Sequence, residues 1–217
     1  MAQLLEGKSI AEKIKSEVSA RAAELKNKGV TPKLVAVQAG ENPASAVYLK
    51  SQKNNAGKLG VDYQLLTLPE GVSQPELAAE IKRLNEDRTV NGIIMQMPLP
   101  EHLDSRSIQQ TINPEKDVEG INPANLGLLV LATPRFTPCT PSGIMELLSA
   151  TGEKLYGKEA VIVGHSEIVG KPLALLLLTQ FATVSVCHIA TGQRGSLPDY
   201  VKKAEILIVA EIGRAHV

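Results

Sequence analysis

Four stretches of this sequence carry side chains in patterns that could do chemistry. The first is VIVGHSEIVGKP, residues 161–172. An apolar run there feeds a turn of small residues and then a helix start. Such an arrangement aims backbone N–H groups and a positive dipole end at a pyrophosphate. Gly164 suits the tight turn, Ser166 can donate a hydroxyl, and Gly170 permits close packing. The Gly-x-Ser-x-x-x-Gly spacing is one residue longer than the common dinucleotide fingerprint. An ordinary strand-to-helix turn is therefore the competing reading.

Tyr48 and Gln52 form the second pattern, four residues apart and so on one helix face, with Asn55 nearby. A tyrosine above an amide suits stacking on a flat ring and donation to a carbonyl or ring nitrogen. Two partly buried structural residues would look the same. The third stretch, GIIMQMPLP at 92–100, sets Gln96 just past the carboxyl end of an apolar run, where open α/β sheets place ligands. The fourth, EKDVEG at 115–120, carries three carboxylates, and a solvated charged turn is its plainer reading.

The elements that would position these residues alternate along the chain. Ile10, Ile14, Val18 and Leu25, with Ala22 between, form a helical stripe stopped by Gly29. A short strand is expected at 34–37, a helix at 45–59, a strand at 63–66, and a helix opened by Ser73 with Pro75 in its first turn. Strand 92–95 and a helix near 105–112 follow. Three prolines between Thr133 and Pro141 break every periodicity and mark a domain boundary, with Thr140 capping the next helix. Beyond it come strand 160–163, helix 169–179, strand 183–187, a short helix near 197–203 and a strand from Ile206. Strands alternating with helices predict an α/β protein with mostly parallel sheets covered on both faces.

Composition narrows the function classes. Lys+Arg and Asp+Glu both number 23, so no bulk positive field exists to hold nucleic acid or an anionic membrane. Two cysteines, Cys139 and Cys187, exclude a disulfide scaffold and an all-cysteine metal site. No metal-ligand cluster is visible. The most apolar stretch, around 172–178, is too short to span a bilayer, and the acidic, amphipathic N-terminus resembles no leader peptide. A cytoplasmic globular protein is expected.

Together, GENPASAVYLKSQ, NGIIMQMPLP, PEKDVEGINPANLG, FTPCTPSGI and VIVGHSEIVGKP resemble, in order and across residues 1–210, the bifunctional methylenetetrahydrofolate dehydrogenase/methenyltetrahydrofolate cyclohydrolase family. The resemblance implies two α/β domains: a folate-binding catalytic domain at 1–138 and a Rossmann-type NAD(P)-binding domain at 139–210. It implies oxidation of methylenetetrahydrofolate by NADP, with NAD as the alternative cofactor, then hydrolysis to 10-formyltetrahydrofolate. A homodimer is the implied assembly. Tyr48 falls on the tyrosine that packs against the folate. Gln96 falls on the glutamine of the substrate loop, with Met95, Met97 and Pro98 beside it. Gly164, His165 and Ser166 fall on the phosphate-holding turn, and Ile168, Gly170, His188 and Ile189 complete the cofactor set.

Two departures stand out. The family pattern has a lysine, the proton handler of the hydrolytic step, where this chain has Gln52. An amide can hydrogen-bond but cannot titrate. Lys53 lies roughly 100° further round the helix. The second departure is Glu119, where the family usually has aspartate. Three functions stay open: a dehydrogenase without the hydrolytic step, the full bifunctional enzyme, and a non-catalytic folate or nucleotide binder. The heptapeptide 211–217 back-translates to a common sequencing-adapter read-through. The sequence therefore predicts a truncated reading frame, a foreign tail, an incomplete second domain, and a fragment that is itself inactive.

Overall fold

The computed structural model describes residues 4–211, and most of the stretch expected to be foreign, 212–217, lies outside them. Two compact units form: a first, Glu6–Val118, and a second that begins at Glu119 and includes Leu4 and Leu5.

The first unit runs α1 (Gly7–Asn27), β1 (Lys33–Ala39), α2 (Pro43–Lys58), β2 (Asp62–Leu68), α3 (Gln74–Glu86), β3 (Gly92–Met95) and α4 (Ser105–Thr111). Its strands form a parallel sheet in the order β2-β1-β3, with Val37 paired to both Leu66 and Met95. The central strand β1 is buried from Val35 to Gln38, which is why it reads as a run of apolar residues rather than an alternation. Helix α3 supplies Leu77, Ile81 and Leu84 to the core under β1 and β3. Ser73 caps it as expected, in a reciprocal box with Glu76.

That cap makes a pH prediction. The Ser73 hydroxyl and backbone N–H hold the Glu76 carboxyl below the usual carboxylate range. A depressed native value adds stability that is present above the unfolded value and lost as pH falls through the native one. Ser73→Ala should cost about 1 kcal/mol at neutral pH. Thermal melts should show the gap between variant and wild type narrowing once pH drops below the carboxylate range.

The α1 stripe is more open than its periodicity suggests. Only Ala22 is buried, while Ile14, Val18 and Leu25 stay about two-fifths exposed. Ala22 lies against the turn at Gly60.

The second unit runs α5 (Pro123–Val130), α6 (Cys139–Ala150), β4 (Glu159–Val163), α7 (Gly170–Thr179), β5 (Thr183–Cys187), α8 (Ile189–Gln193), α9 (Leu197–Lys203) and β6 (Ile206–Val209). Its parallel sheet has the order β5-β4-β6, with Val163 paired to Cys187 and Val209. Ala160, Ile162, Leu173 and Leu177 form its core. The two compact units part at 118/119. Helix α5 packs on α7, and the backbone at Gly120 is pressed against Thr137 and Pro138. Thr140 does not cap α6: the helix starts two residues earlier, at Cys139, with Pro138 in the cap position. Helix α5 went unpredicted, although Asn122 and Pro123 are an N-cap and a first-turn proline.

Candidate active site

In the first unit, α2 turns Ser45, Leu49, Gln52 and Ala56 toward the sheet and leaves Tyr48 on its flank, 61% exposed. Gln52 is half-buried, and its Oε1 accepts a hydrogen bond from the Tyr63 hydroxyl of β2 at 3.0 Å. Burial, and then the neighbouring Tyr48, push the Tyr63 phenol above its ordinary value. The hydroxyl therefore keeps its proton, and its donor role, throughout the neutral range.

Gln96 follows β3 directly. Its backbone N–H donates to Val37 O (2.8 Å), and its Nε2 donates to Met97 O (2.8 Å) and to Ser45 Oγ (3.4 Å). The amide thus ties the sheet's carboxyl end to the first turn of α2, bringing the Gln96 loop beside the Tyr48–Gln52 helix. Met97 is half-buried and Pro98 exposed. Met95, at 2% exposure, packs its side chain into the core of the first unit. Lys50 and Lys53 line a recess of about 530 Å³ with Leu49, Leu65 and Tyr63, the residue that donates to Gln52. Position 52 itself offers an amide.

The 115–120 turn is less solvated than a charged loop would be. Asp117 is 1% exposed, and the Lys116 ammonium donates to Leu84 O (2.9 Å) and Asp87 O (2.7 Å) at the end of α3. Glu119 opens the second unit, half-buried, one residue before Gly120. Gly120 has φ +67°, and a Cβ there would fall 2.7 Å from Thr137 C, so the turn is pinned to the 136–138 backbone.

The second unit gathers its predicted residues at the carboxyl ends of β4 and β5, where parallel sheets bind ligands. Gly164 N–H donates to Cys187 O (2.8 Å), joining the two strand ends. Ser166 shapes the turn: its Oγ accepts from Val169 N (3.1 Å) and its carbonyl from Lys171 N (3.0 Å). The longer glycine spacing is absorbed here, because α7 begins at Gly170 rather than before it. A Cβ on Gly170 would lie 2.1 Å from Gly164 O. The closely apposed turn and the amino end of α7 fit the phosphates of a dinucleotide. His165 and His188 pack with ring centroids 5.1 Å apart, both exposed, and Ile168 and Ile189 are exposed nearby in sequence. Cys187 is buried, and desolvation raises its thiol pKa, so it is no nucleophile.

Among the described residues, no group of three or more His, Cys, Asp or Glu could hold a metal ion. No described helix is long and apolar enough to cross a membrane. Sequence reasoning missed Ser45 and Tyr63. Ser45 shares the Leu49–Gln52 stripe and was within reach of the periodicity. Tyr63 needed the tertiary pairing of α2 with β2.

Comparison with known proteins agrees in both units. The model of the tetrahydrofolate dehydrogenase/cyclohydrolase catalytic domain matches residues 5–119, and that of the family's NAD(P)-binding domain matches 138–217. The bifunctional protein FolD of Variovorax paradoxus is 43% identical over 216 residues, 100% of this chain and 75% of that protein. The crystal structure of the bifunctional FolD methylenetetrahydrofolate dehydrogenase/cyclohydrolase from Campylobacter jejuni matches with a TM-score of 0.92 and 44% identity, over 96% of this chain and 73% of that one. The Trypanosoma brucei methylenetetrahydrofolate dehydrogenase-cyclohydrolase, solved with NADP and an inhibitor, gives 0.90 and 34% over 96% and 71%. With both domain models matched and this identity sustained along its length, the chain belongs to the tetrahydrofolate dehydrogenase/cyclohydrolase family.

Proposed function

We propose that this protein is an NADP-dependent methylenetetrahydrofolate dehydrogenase in which the hydrolytic step, from methenyl- to 10-formyltetrahydrofolate, is disabled. One observation carries the proposal: the side chain at position 52 is an amide whose oxygen is engaged by Tyr63. Family membership supports the dehydrogenase half.

Bound NADP+ supplies the two-electron acceptor for the one-carbon bridge. The protein's part in that step is alignment, which needs no titrating group at position 52. Tyr48 offers its open face to the folate's flat rings. Gln52 and Gln96 donate hydrogen bonds, Met97 and Pro98 border the loop, and Glu119 accepts from the pterin's amino groups. The Gly164–Gly170 turn, with His165, Ser166 and Ile168, holds the cofactor phosphates, while His188 and Ile189 face the adenosine. The catalytic domain matched at 5–119 serves the folate, and the NAD(P)-binding domain matched at 138–217 the dinucleotide. Attack of water on the methenyl carbon has a different requirement, a group that carries charge and moves a proton, and Gln52 does neither.

A single time course tests this. Full-length protein is incubated with methylenetetrahydrofolate and NADP+, and reduced cofactor, methenyl and 10-formyl products are followed against a no-enzyme control. Reduced cofactor should appear while methenyl accumulates and decays at the background rate. Binding of both ligands without turnover would instead favour the non-catalytic reading.

NADP is the preferred cofactor, and the exposed His165 stands on the phosphate-holding turn. His165→Arg should improve the NADP/NAD preference by about tenfold, the worth of one charge-assisted phosphate contact. The KM values for the two cofactors check it. The assembly we infer is a homodimer, supported by apolar side chains left open on the second unit, Tyr156 and Phe181 among them. Sedimentation tests it. Two free cysteines support a cytoplasmic setting.

A further inference from the structure

We infer that a second copy of this chain docks on a recess at the amino ends of β4 and β5, with Tyr156 and Phe181 as its anchors. The inference rests on the homodimer reading above and deepens it by naming the surface.

Phe181 is costly where it stands. Helix α7 ends in a Schellman closure: Phe181 N–H donates to Leu178 O (2.9 Å) and Ala182 N–H to Leu177 O (3.2 Å). That closure puts Phe181 at φ +59°, the left-handed conformation that glycine usually supplies and that a bulky side chain adopts only under strain. Its ring gains little inside the unit in return. It is 71% exposed, and the ring it meets, with centroids 5.6 Å apart, belongs to Tyr156, itself 76% exposed. Gly157 N–H donates to Phe181 O (2.9 Å), so the backbone holds the two rings side by side. Next to them opens a recess of about 630 Å³, lined by Met145, Glu146, Glu153 and Lys154. A strained, solvent-exposed aromatic pair at the lip of a recess has the make-up of an interface anchor.

The charges choose the occupant. Glu153 is held at 4.0 Å by Lys158, whereas among the described residues Glu146 and Lys154 make no ion pair. In a two-fold contact residue i meets j and j meets i. Glu146 and Lys154 can therefore pair twice across the axis, while each copy's rings enter the other's recess. A partner of uniform charge would leave one of the two unmatched. The face lies at the opposite end of the sheet from the Gly164–Gly170 turn, so docking there leaves the cofactor's end open.

The test is sedimentation equilibrium of the full-length protein with Phe181→Gly, Lys154→Glu, and Lys154→Glu combined with Glu146→Lys. Glycine removes the ring and gives the left-handed position its favoured residue, so assembly and fold should move in opposite directions. The dimer Kd of Phe181→Gly should rise at least about 100-fold, because a two-fold contact loses both rings at once. At a dilution where wild type is also monomeric, the melting temperature of Phe181→Gly should lie about 2–4 °C above it. Lys154→Glu should weaken the dimer about tenfold, and adding Glu146→Lys should restore it to within about threefold. An unchanged dimer Kd in Phe181→Gly overturns the docking surface and leaves the homodimer reading standing. So does a charge reversal that the second change fails to rescue. A wild type that sediments as a monomer at every concentration overturns both. Calorimetric titration with NADP, expected to match wild type in all variants, identifies any that fails to fold.

Discussion

Gln52→Lys is expected to raise hydrolysis of methenyltetrahydrofolate by at least about 100-fold over wild type, the low end of what a positioned acid–base group contributes. It should leave methylenetetrahydrofolate oxidation within about threefold, because that step asks the protein for alignment rather than proton transfer. The position is prepared for the change. It lies half-buried on the face of α2 that holds Ser45 and Leu49, with Gln96 donating to Ser45 close by. The Tyr63 hydroxyl that now donates to Gln52 can accept from an ammonium instead, so the lysine would be held rather than left to wander. Decay of methenyl product against the no-enzyme background reads the result. Lys53→Met is the control and should change nothing, since Lys53 lines the recess beside β2.

Glu119 enters as a second variable. Its carboxylate stands on a turn pinned by Gly120, so the extra methylene cannot be absorbed by retracting the backbone. Glu119→Asp in the Gln52→Lys background tests whether the longer arm limits the gain. Hydrolysis well above background in wild type would sink the proposal outright.

The parts of the fold legible in the sequence were those fixed by local chemistry. Ser73 as a cap, with Pro75 in the first turn, predicted the start of α3, and the apolar runs at 34–37 and 160–163 predicted strands. Tertiary decisions were less legible. Strand periodicity could not say that Met95 faces the core, because a parallel strand covered on both faces buries every position. Helical periodicity marked Ile14, Val18 and Leu25 as apolar, but burial depends on what a helix packs against, and only Ala22 is covered. The domain division was read from prolines, which say nothing of the packing of α5 on α7. At the candidate site, the spacing of Tyr48 and Gln52 was visible, whereas the Tyr63–Gln52 hydrogen bond joins residues brought together only by the docking of α2 on β2.

The cofactor turn offers the sharpest steric test. Gly170→Ala should weaken NADP binding at least about 100-fold and lower the melting temperature. The added methyl would stand 2.1 Å from Gly164 O, 2.7 Å from Gly164 C and 2.9 Å from His165 Cα. All three are backbone atoms, so no side chain can rotate away, and relief requires the turn to open. Overpacking of this kind ordinarily costs about 1–3 kcal/mol. Binding suffers more, because the segment that must move is the one that presents N–H groups to the phosphates. Gly57→Ala separates this effect from a general intolerance of substitution. Gly57 lies inside α2, with nothing within 4 Å of an added Cβ, so alanine there should stabilise by roughly 0.5–1 kcal/mol and bind NADP like wild type. Calorimetric titration with NADP, alongside thermal melts of both variants, distinguishes the cases. Wild-type NADP affinity in Gly170→Ala would mean that the turn only connects β4 to α7, and that the phosphates are held elsewhere.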